Sequence, residues 1–302
     1  MKKLILLLFV ITAVTAQAQD AEEQPQGWSN GGIFQLLFNQ SAFNAEWQGG
    51  GTSSLAGNLG LNYDINYLMD RTSWDTKIIA EYGITRQDGD EFTRKTNDRL
   101  ELNTVYGYKI AEDSAWSYSF FLNALTQFTK GYNFGEDEDG NVTRTERTNF
   151  LSPGYFQAGP GMLYKKGDNL SVNIAPATAR LIVVDGQFTD GPDYVDGAYF
   201  GVDAGETTRF ELGASINALY NFQIAENVRM DNVLLLYSNY LDKPGNIDIN
   251  YSTNINMKIN EWLSANLIFQ AIYDDNAVGA FQIREVFGLG LNYKLGDARE
   301  VQ

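Results

Sequence analysis

The 302-residue chain has no cysteine and no histidine. Thiol redox chemistry, zinc or copper sites built on thiolate or imidazole, haem ligation through histidine and the Ser-His-Asp or Cys-His nucleophile systems all lack their essential groups. A bilayer-embedded lipase or protease relying on a histidine base is therefore not expected. Basic residues are outnumbered, 22 Lys and Arg against 38 Asp and Glu, for a net charge of -16. That balance argues against nucleic acid as a partner, because phosphate binding calls for a basic surface, and acidic loops facing water account for it. Only six prolines occur, with no Pro-rich linker, no low-complexity stretch and no fixed repeat of solenoid length. Beyond residue 18 no apolar run approaches the about 18 residues that a spanning helix needs.

What is present is alternation. Leu55, Gly57, Leu59, Leu61, Tyr63, Ile65 and Tyr67 alternate with Ala56, Asn58, Gly60, Asn62, Asp64 and Asn66 over thirteen positions. Strand side chains point to opposite faces with period two, and a tilted transmembrane strand needs about ten residues. Similar segments are read near 31–40, 54–67, 74–85, 98–110, 116–129, 154–165, 170–184, 207–224, 228–241, 247–259, 263–274 and 281–295. The sixth and seventh contain Pro160 and Pro176, and the ninth is ambiguous in phase. A mean hydropathy of -0.28 fits, since only every second residue would meet lipid.

Twelve is an even number, as single-chain bacterial barrels require. The connections alternate in length: those near 68–73, 111–115, 166–169, 225–227 and 260–262 are short, whereas 41–53, 86–97, 130–153 and 185–206 are long. Short periplasmic turns and long external loops are the usual asymmetry. Tyr67, Trp74, Tyr108, Trp116, Tyr118, Tyr164, Tyr220, Trp262 and Tyr293 gather near the short turns, where an aromatic girdle would sit. The expected fold is all-β, an antiparallel up-and-down transmembrane barrel of about twelve strands.

Met1-Lys2-Lys3, the apolar run Leu4 to Val14 and Ala16-Gln17-Ala18 read as a secretory signal peptide cleaved after Ala18. The expected layout is signal peptide 1–18, an N-terminal periplasmic segment 19–30, the barrel 31–295 and a C-terminal tail 296–302. Gly290-Leu291-Asn292-Tyr293-Lys294-Leu295 approximates the last-strand signal read by the barrel-assembly machinery, an expected partner along with outer-membrane lipid and lipopolysaccharide.

Specific residues also resemble a family. Gly31-Gly32, Asn44-Ala45-Glu46-Trp47-Gln48-Gly49-Gly50, Trp74-Asp75, Tyr82-Gly83, Tyr106-Gly107-Tyr108, Thr126-Gln127-Phe128, Ser152-Pro153-Gly154-Tyr155, Phe200-Gly201-Val202, Asn239-Tyr240-Leu241-Asp242-Lys243-Pro244 and Tyr273-Asp274-Asp275 are similar to segments of a secreted bacterial family. It is classed as a domain of unknown function and generally taken to be outer-membrane barrels. The resemblance implies the class and no activity; the family usually has Asn next to Trp, whereas here Ala45 and Glu46 intervene between Asn44 and Trp47, so no role is carried over to Asn44.

Gly49-Gly50-Gly51 lacks the Gly-Lys-Ser/Thr of a phosphate loop and reads as an external turn. Asp137, Asp139, Gly140, Asn141 and Glu146 fall at calcium-loop positions three, five, six, seven and twelve, but position one is Gly135; a solvated acidic loop is the expected reading, with Asp137, Asp139, Asn141 and Glu146 the only metal candidates. The residues expected to line the lumen are Asp64, Asp75, Lys77, Glu81, Glu101, Lys109, Arg209, Glu211, Asp248, Lys258 and Arg284. They could pair and close the lumen or line a narrow path, since twelve strands lie between the filled eight and the channel-forming sixteen. Asn250, Asn254 and Asn256 would suit a sugar or nucleoside but are read as polar lumen filler. The expectation is a non-enzymatic outer-membrane barrel without cofactor, a narrow pore or structural barrel; the alternative is a plugged barrel binding an external ligand or partner through its loops. An enzyme using carboxylates alone, such as Glu81 with Glu101, is the third class.

Overall fold

Alternating apolar and polar residues of this length can satisfy both faces only if one side meets lipid and the other a polar interior, and the sheet must close so that no edge is left unpaired. The computed structural model describes residues 26–296 except 45, 47–50 and 168, and it contains that closed ring. In chain order the strands are β1 (Gly27–Ser41), β2 (Ser54–Met69), β3 (Thr72–Gln87), β4 (Arg94–Lys109), β5 (Trp116–Thr126), β6 (Gly131–Glu136), β7 (Val142–Thr148), β8 (Gly154–Lys166), β9 (Leu170–Val183), β10 (Thr208–Ala225), β11 (Val228–Asn239), β12 (Asp248–Lys258), β13 (Leu263–Tyr273) and β14 (Gln282–Gly296). Twelve of these form one antiparallel barrel, closed by β1 against β14, while β6 and β7 make a separate hairpin.

The twelve expected segments coincide with the twelve barrel strands, with differences at some ends. β1 begins at Gly27, so Gly27–Asn30, expected in a periplasmic segment, pair instead with Leu68 to Ile65 of β2. Gly31 and Gly32 interrupt the alternation there; a Cβ on Gly32 would lie 2.2 Å from the Asn62 carbonyl oxygen, so the residue marks close strand approach. The fifth segment stops at Thr126, and the long connection after it holds the β6–β7 hairpin. The signal peptide, residues 19–25, Ala45, Trp47, Gln48, Gly49, Gly50, Asp168 and the tail beyond Gly296 lie outside the described residues.

Register fixes which face each residue takes, because directly paired residues share a face. Leu61 pairs with Phe34 and Ala80, whereas Asn62 pairs with Ile33 and Ile79. On the outer face Phe34, Leu36, Phe38, Leu59, Leu102, Phe120, Leu122, Leu289 and Leu291 are all more than a third exposed. In water that belt would be an aggregation surface, and in a bilayer it is the lipid contact. A single closed ring, apolar outside and polar inside, is the architecture of an outer-membrane barrel.

The barrel ladders are irregular at Gly83/Ile84, at Gln223/Ala225 and, most extensively, around β9. In β8 and β9 the register breaks between Ala158 and Met162, and the β9–β10 ladder breaks at Gly213/Ser215. Pro160 sits at the β8–β9 break and Pro176 at the β9–β10 break, while on its other side Pro160 keeps an unbroken register opposite Phe120 of β5. Cβ atoms at Gly159 and Gly161 would come 2.4 and 2.5 Å from the Ala177 and Ile174 carbonyl oxygens, so the bulge fits only against glycine. Two of its carbonyls accept from side chains: Thr178 Oγ1 donates to Ala175 at 3.0 Å and Tyr240 Oη to Pro176 at 2.9 Å.

The two faces predict different mutational costs. Leu61→Arg should lower stability in lipid vesicles by about 2–4 kcal/mol in a urea titration, and Asn62→Arg by clearly less. Equal losses would mean that lipid and lumen are not separated by this alternation.

Candidate functional site: the lumen and its outer mouth

Inward positions carry most of the charge of the strands, and a charge out of water must be paired. All eleven residues expected to line the lumen take inward positions in the register. Lys109 and Lys258 lie at strand ends near the short turns, Lys109 Nζ donating to the Glu112 carbonyl at 3.4 Å. The others fall into distinct groups.

The first group occupies the mouth on the long-loop side. Arg180 of β9 reaches three strands along the ring to Asp248 of β12, at 2.6 Å, and lies 3.5 Å from Glu211 and 3.7 Å from Asp274. Its guanidinium stands over the rings of Tyr155 and Tyr237, 5.1 and 4.7 Å from their centroids. Glu211 also accepts from Arg209 Nε at 2.8 Å, and Arg209 Nη2 lies 3.2 Å from Asp242. Glu211 is only 1% exposed, which the two arginines make tolerable.

A second group faces it from the opposite wall. Glu101, also 1% exposed, pairs with Arg99 and accepts from the side-chain amides of Asn103 and Asn123 at 2.8 and 3.0 Å. Glu81 accepts from Asn97 Nδ2 at 2.7 Å, and Arg284 of β14 comes within 3.6 Å of it from across β1 and β2. Arg99 stands opposite Glu81 in the β3–β4 register, so the two carboxylates are neighbours, and both are engaged by internal cations and amides. Lower down, Lys77 pairs with Asp64 at 2.8 Å and Lys165 with Asp75.

Between these groups runs an uncharged chain. Asn256 donates to Asn266, Asn266 and Asn292 both donate to Ser264 Oγ, and Gln35 donates to Asn292, all at 2.6 to 2.8 Å. The chain ties β12, β13, β14 and β1 together. Apolar side chains fill part of the middle, with Leu37, Ile79, Phe121 and Leu163 all at most 5% exposed. Toward the short turns the inner wall opens, and inward Ile33 and Leu219 are about two-fifths exposed, 41% and 40%.

At the long-loop end, residues 184–207 fold as a lid over the ends of β8, β9 and β10. Val202, fully buried, packs with Ile182 and Val184 against Tyr155, Tyr199 and Phe200. Arg209 Nη1 donates to the Gly201 carbonyl at 2.7 Å, and Tyr194 Oη to that of Val202 at 2.7 Å. Gly201 has φ +74°, and a Cβ there would sit 2.7 Å from the Arg209 guanidinium, so both conformation and space demand glycine. The lid is tied to the connection carrying β6 and β7: Tyr199 Oη donates to the Arg147 carbonyl at 2.7 Å, and Asn149 Nδ2 to Asp185 at 3.1 Å. The hairpin is held by Arg144 over Phe92 and Tyr132, both at 4.6 Å, and Arg94 over Phe134 at 4.8 Å.

In this external layer, a hydrogen bond from Lys130, at 2.6 Å, holds the Glu146 carboxyl below its ordinary range, and the Gln187 backbone N–H does the same for Asp185. Depressed carboxylates stabilise above their ordinary range and lose that contribution as pH falls through the folded value, so the loop layer is a neutral-pH structure. The calcium candidates do not converge. Asp137 lies in the hairpin turn, accepting from the backbone of Asp139 and Asn141 at 3.0 and 2.8 Å. Glu146 is opposite Tyr132, four rungs below the Glu136–Val142 pair.

Sequence reasoning missed Arg99, Lys165, Arg180 and Asp274. Arg180 follows the Pro176 bulge, which shifts the inward parity from Asn173 and Ala175 to Thr178 and Arg180. Arg99 is in phase with Glu101 and was legible from the alternation of the fourth strand. The mouth network makes Arg180→Met costly, about 3–5 kcal/mol in urea unfolding, because Glu211, Asp248 and Asp274 would lose their shared cation. Adding Glu211→Gln should recover part of the loss. No recovery would mean that the two residues are not coupled.

Solved structures similar to this chain are outer-membrane barrels. An outer-membrane channel from Pseudomonas putida F1 has 14% identity and TM-score 0.37, over 92% of this chain and 98% of that one. The translocator domain of the autotransporter NalP from Neisseria meningitidis has 9% and 0.36, over 96% and 95%, and outer membrane phospholipase A from Escherichia coli 10% and 0.36, over 91% and 94%. Likeness at this level says nothing of activity. No curated protein matches the sequence. Residues 38–132, from the end of β1 into β6, match a family described as a protein of unknown function (DUF3078), in keeping with the resemblance carried by the sequence motifs.

Proposed function

We propose that this chain is a non-enzymatic outer-membrane barrel, closed toward the outside, that binds a ligand or partner through its external loops. The carrying observation is the lid of residues 184–207, which buries Val202 in the mouth directly above the Arg180 network. An ordered layer that ties the lid to the β6–β7 connection offers a built surface outside, and beneath it ion pairs link β9 to the end of β13 and β14 to β3. Secretion by the N-terminal signal, insertion by the assembly machinery and both chain ends in the periplasm complete the reading.

The uncharged chain from Asn256 to Gln35 favours one second reading, a narrow pore for a neutral solute along the β12–β1 wall. Single-channel recording separates the two. The closed barrel predicts no stable open steps for the natural chain, and open steps only once residues 191–204 are replaced by a short glycine linker. Stable steps in the natural chain would establish the pore instead.

Orientation is tested separately. An epitope inserted at Gly140, in the β6–β7 turn, should be labelled on intact cells, and one at Asp113, between β4 and β5, should not. Labelling at Asp113 with protection at Gly140 would invert the barrel.

A further inference from the structure

At the short-turn end, the outer face carries a cation that no carboxylate answers. Arg71 lies in the turn between β2 and β3, where Asp70 takes φ +49°. Its Nε donates to the Lys109 carbonyl at 3.0 Å, its Nη2 to that of Ile110 at 2.6 Å, and its plane lies over the Tyr108 ring, 4.6 Å from the centroid. Those contacts are with neutral groups, so the full positive charge remains, and among the described residues neither Arg71 nor Asp70 forms an ion pair. In a chain of net charge -16 a guanidinium left in this state is an anion site in waiting.

The surroundings specify the anion. A cavity of about 260 Å³ lies against Arg71, lined by Tyr67, Met69, Asp70, Thr72 and Tyr108. Tyr67 packs on Trp28 at 5.0 Å, and Trp28 on Trp74 at 6.3 Å, both tryptophans being largely outside the protein's own packing. Aromatic rings of this kind mark the plane where acyl chains give way to head groups. The anion always present in that plane is a phosphodiester, and Asp70 beside it offers a carboxylate to a cationic head.

We propose that the cleft holds one phospholipid of the periplasmic leaflet with an ammonium-bearing head, as in phosphatidylethanolamine, its phosphate on Arg71 and its ammonium on Asp70. The glycerol and upper acyl chain would lie along Met69 and Trp28. This rests on the barrel spanning the outer membrane with its short turns toward the periplasm.

Native mass spectrometry of the full barrel in detergent, titrated with palmitoyl-oleoyl phosphatidylethanolamine or phosphatidylglycerol, tests it. The natural chain should retain one phosphatidylethanolamine in preference to phosphatidylglycerol. Arg71→Gln should weaken retention at least about tenfold, the loss of one charge-assisted hydrogen bond, with Arg71→Lys between. Asp70→Asn should abolish the preference between the two lipids. Unchanged retention in Arg71→Gln, an unchanged preference in Asp70→Asn, or displacement by equimolar free glycerophosphoethanolamine would each overturn the proposal. If Arg71→Gln does not fold, Arg71→Lys and Asp70→Asn carry the test. Heat-modifiable migration of the natural chain on SDS gels reports barrel formation independently, so a failed membrane reading is distinguished from a failed lipid site.

Discussion

Every backbone N–H and C=O in the spanning region needs a protein partner, because the hydrocarbon offers none. All else in this barrel follows from meeting that demand by ring closure. A closed ring has an inside and an outside, so parity alone decides where each side chain goes, and one residue of slippage would turn Glu101 and Glu211 to lipid. The register is therefore held by both faces at once: the apolar belt favours the outside, and the ion pairs are satisfied only inside.

The most deeply buried interior charges are answered by protein groups. Glu101 and Glu211 are almost wholly removed from solvent, and their partners come from the same or neighbouring strands. Such networks give little net stability over a hydrophobic filling, but breaking one member leaves an uncompensated buried charge. They act as a lock: the arrangement is costly to leave half-open. Arg209 extends this lock to the lid by spending one nitrogen on Glu211, one on Asp242 and one on the Gly201 carbonyl.

Much of the fold was legible in the sequence because a barrel strand presents lipid on one face only, and period two is then hard to miss. Leu61 beside Asn62 and Leu102 beside Glu101 display it directly. Legibility failed where the two faces stopped differing. In β11 the inward Val233, Leu235 and Tyr237 are as apolar as the outward Leu234 and Leu236, so the phase could not be read. In β9 the bulge at Pro176 changed parity mid-strand and hid Arg180. The lid and the β6–β7 hairpin lay beyond reach for another reason. Their order comes from contacts distant in sequence, such as Tyr199 with Arg147 and Arg144 with Phe92, which leave no local period.

The seam between β1 and β14 bears on time as well as on shape. It is the shortest ladder beside β1, eight residue pairs against fifteen between β1 and β2, and it joins residues more than 250 positions apart. No ribosome product short of the last strand can close, so during synthesis and export β1 waits with an unpaired edge for a partner that does not yet exist. A chain built this way has no partly finished native form in which to rest. Its circumference is complete only when the last strand meets the first.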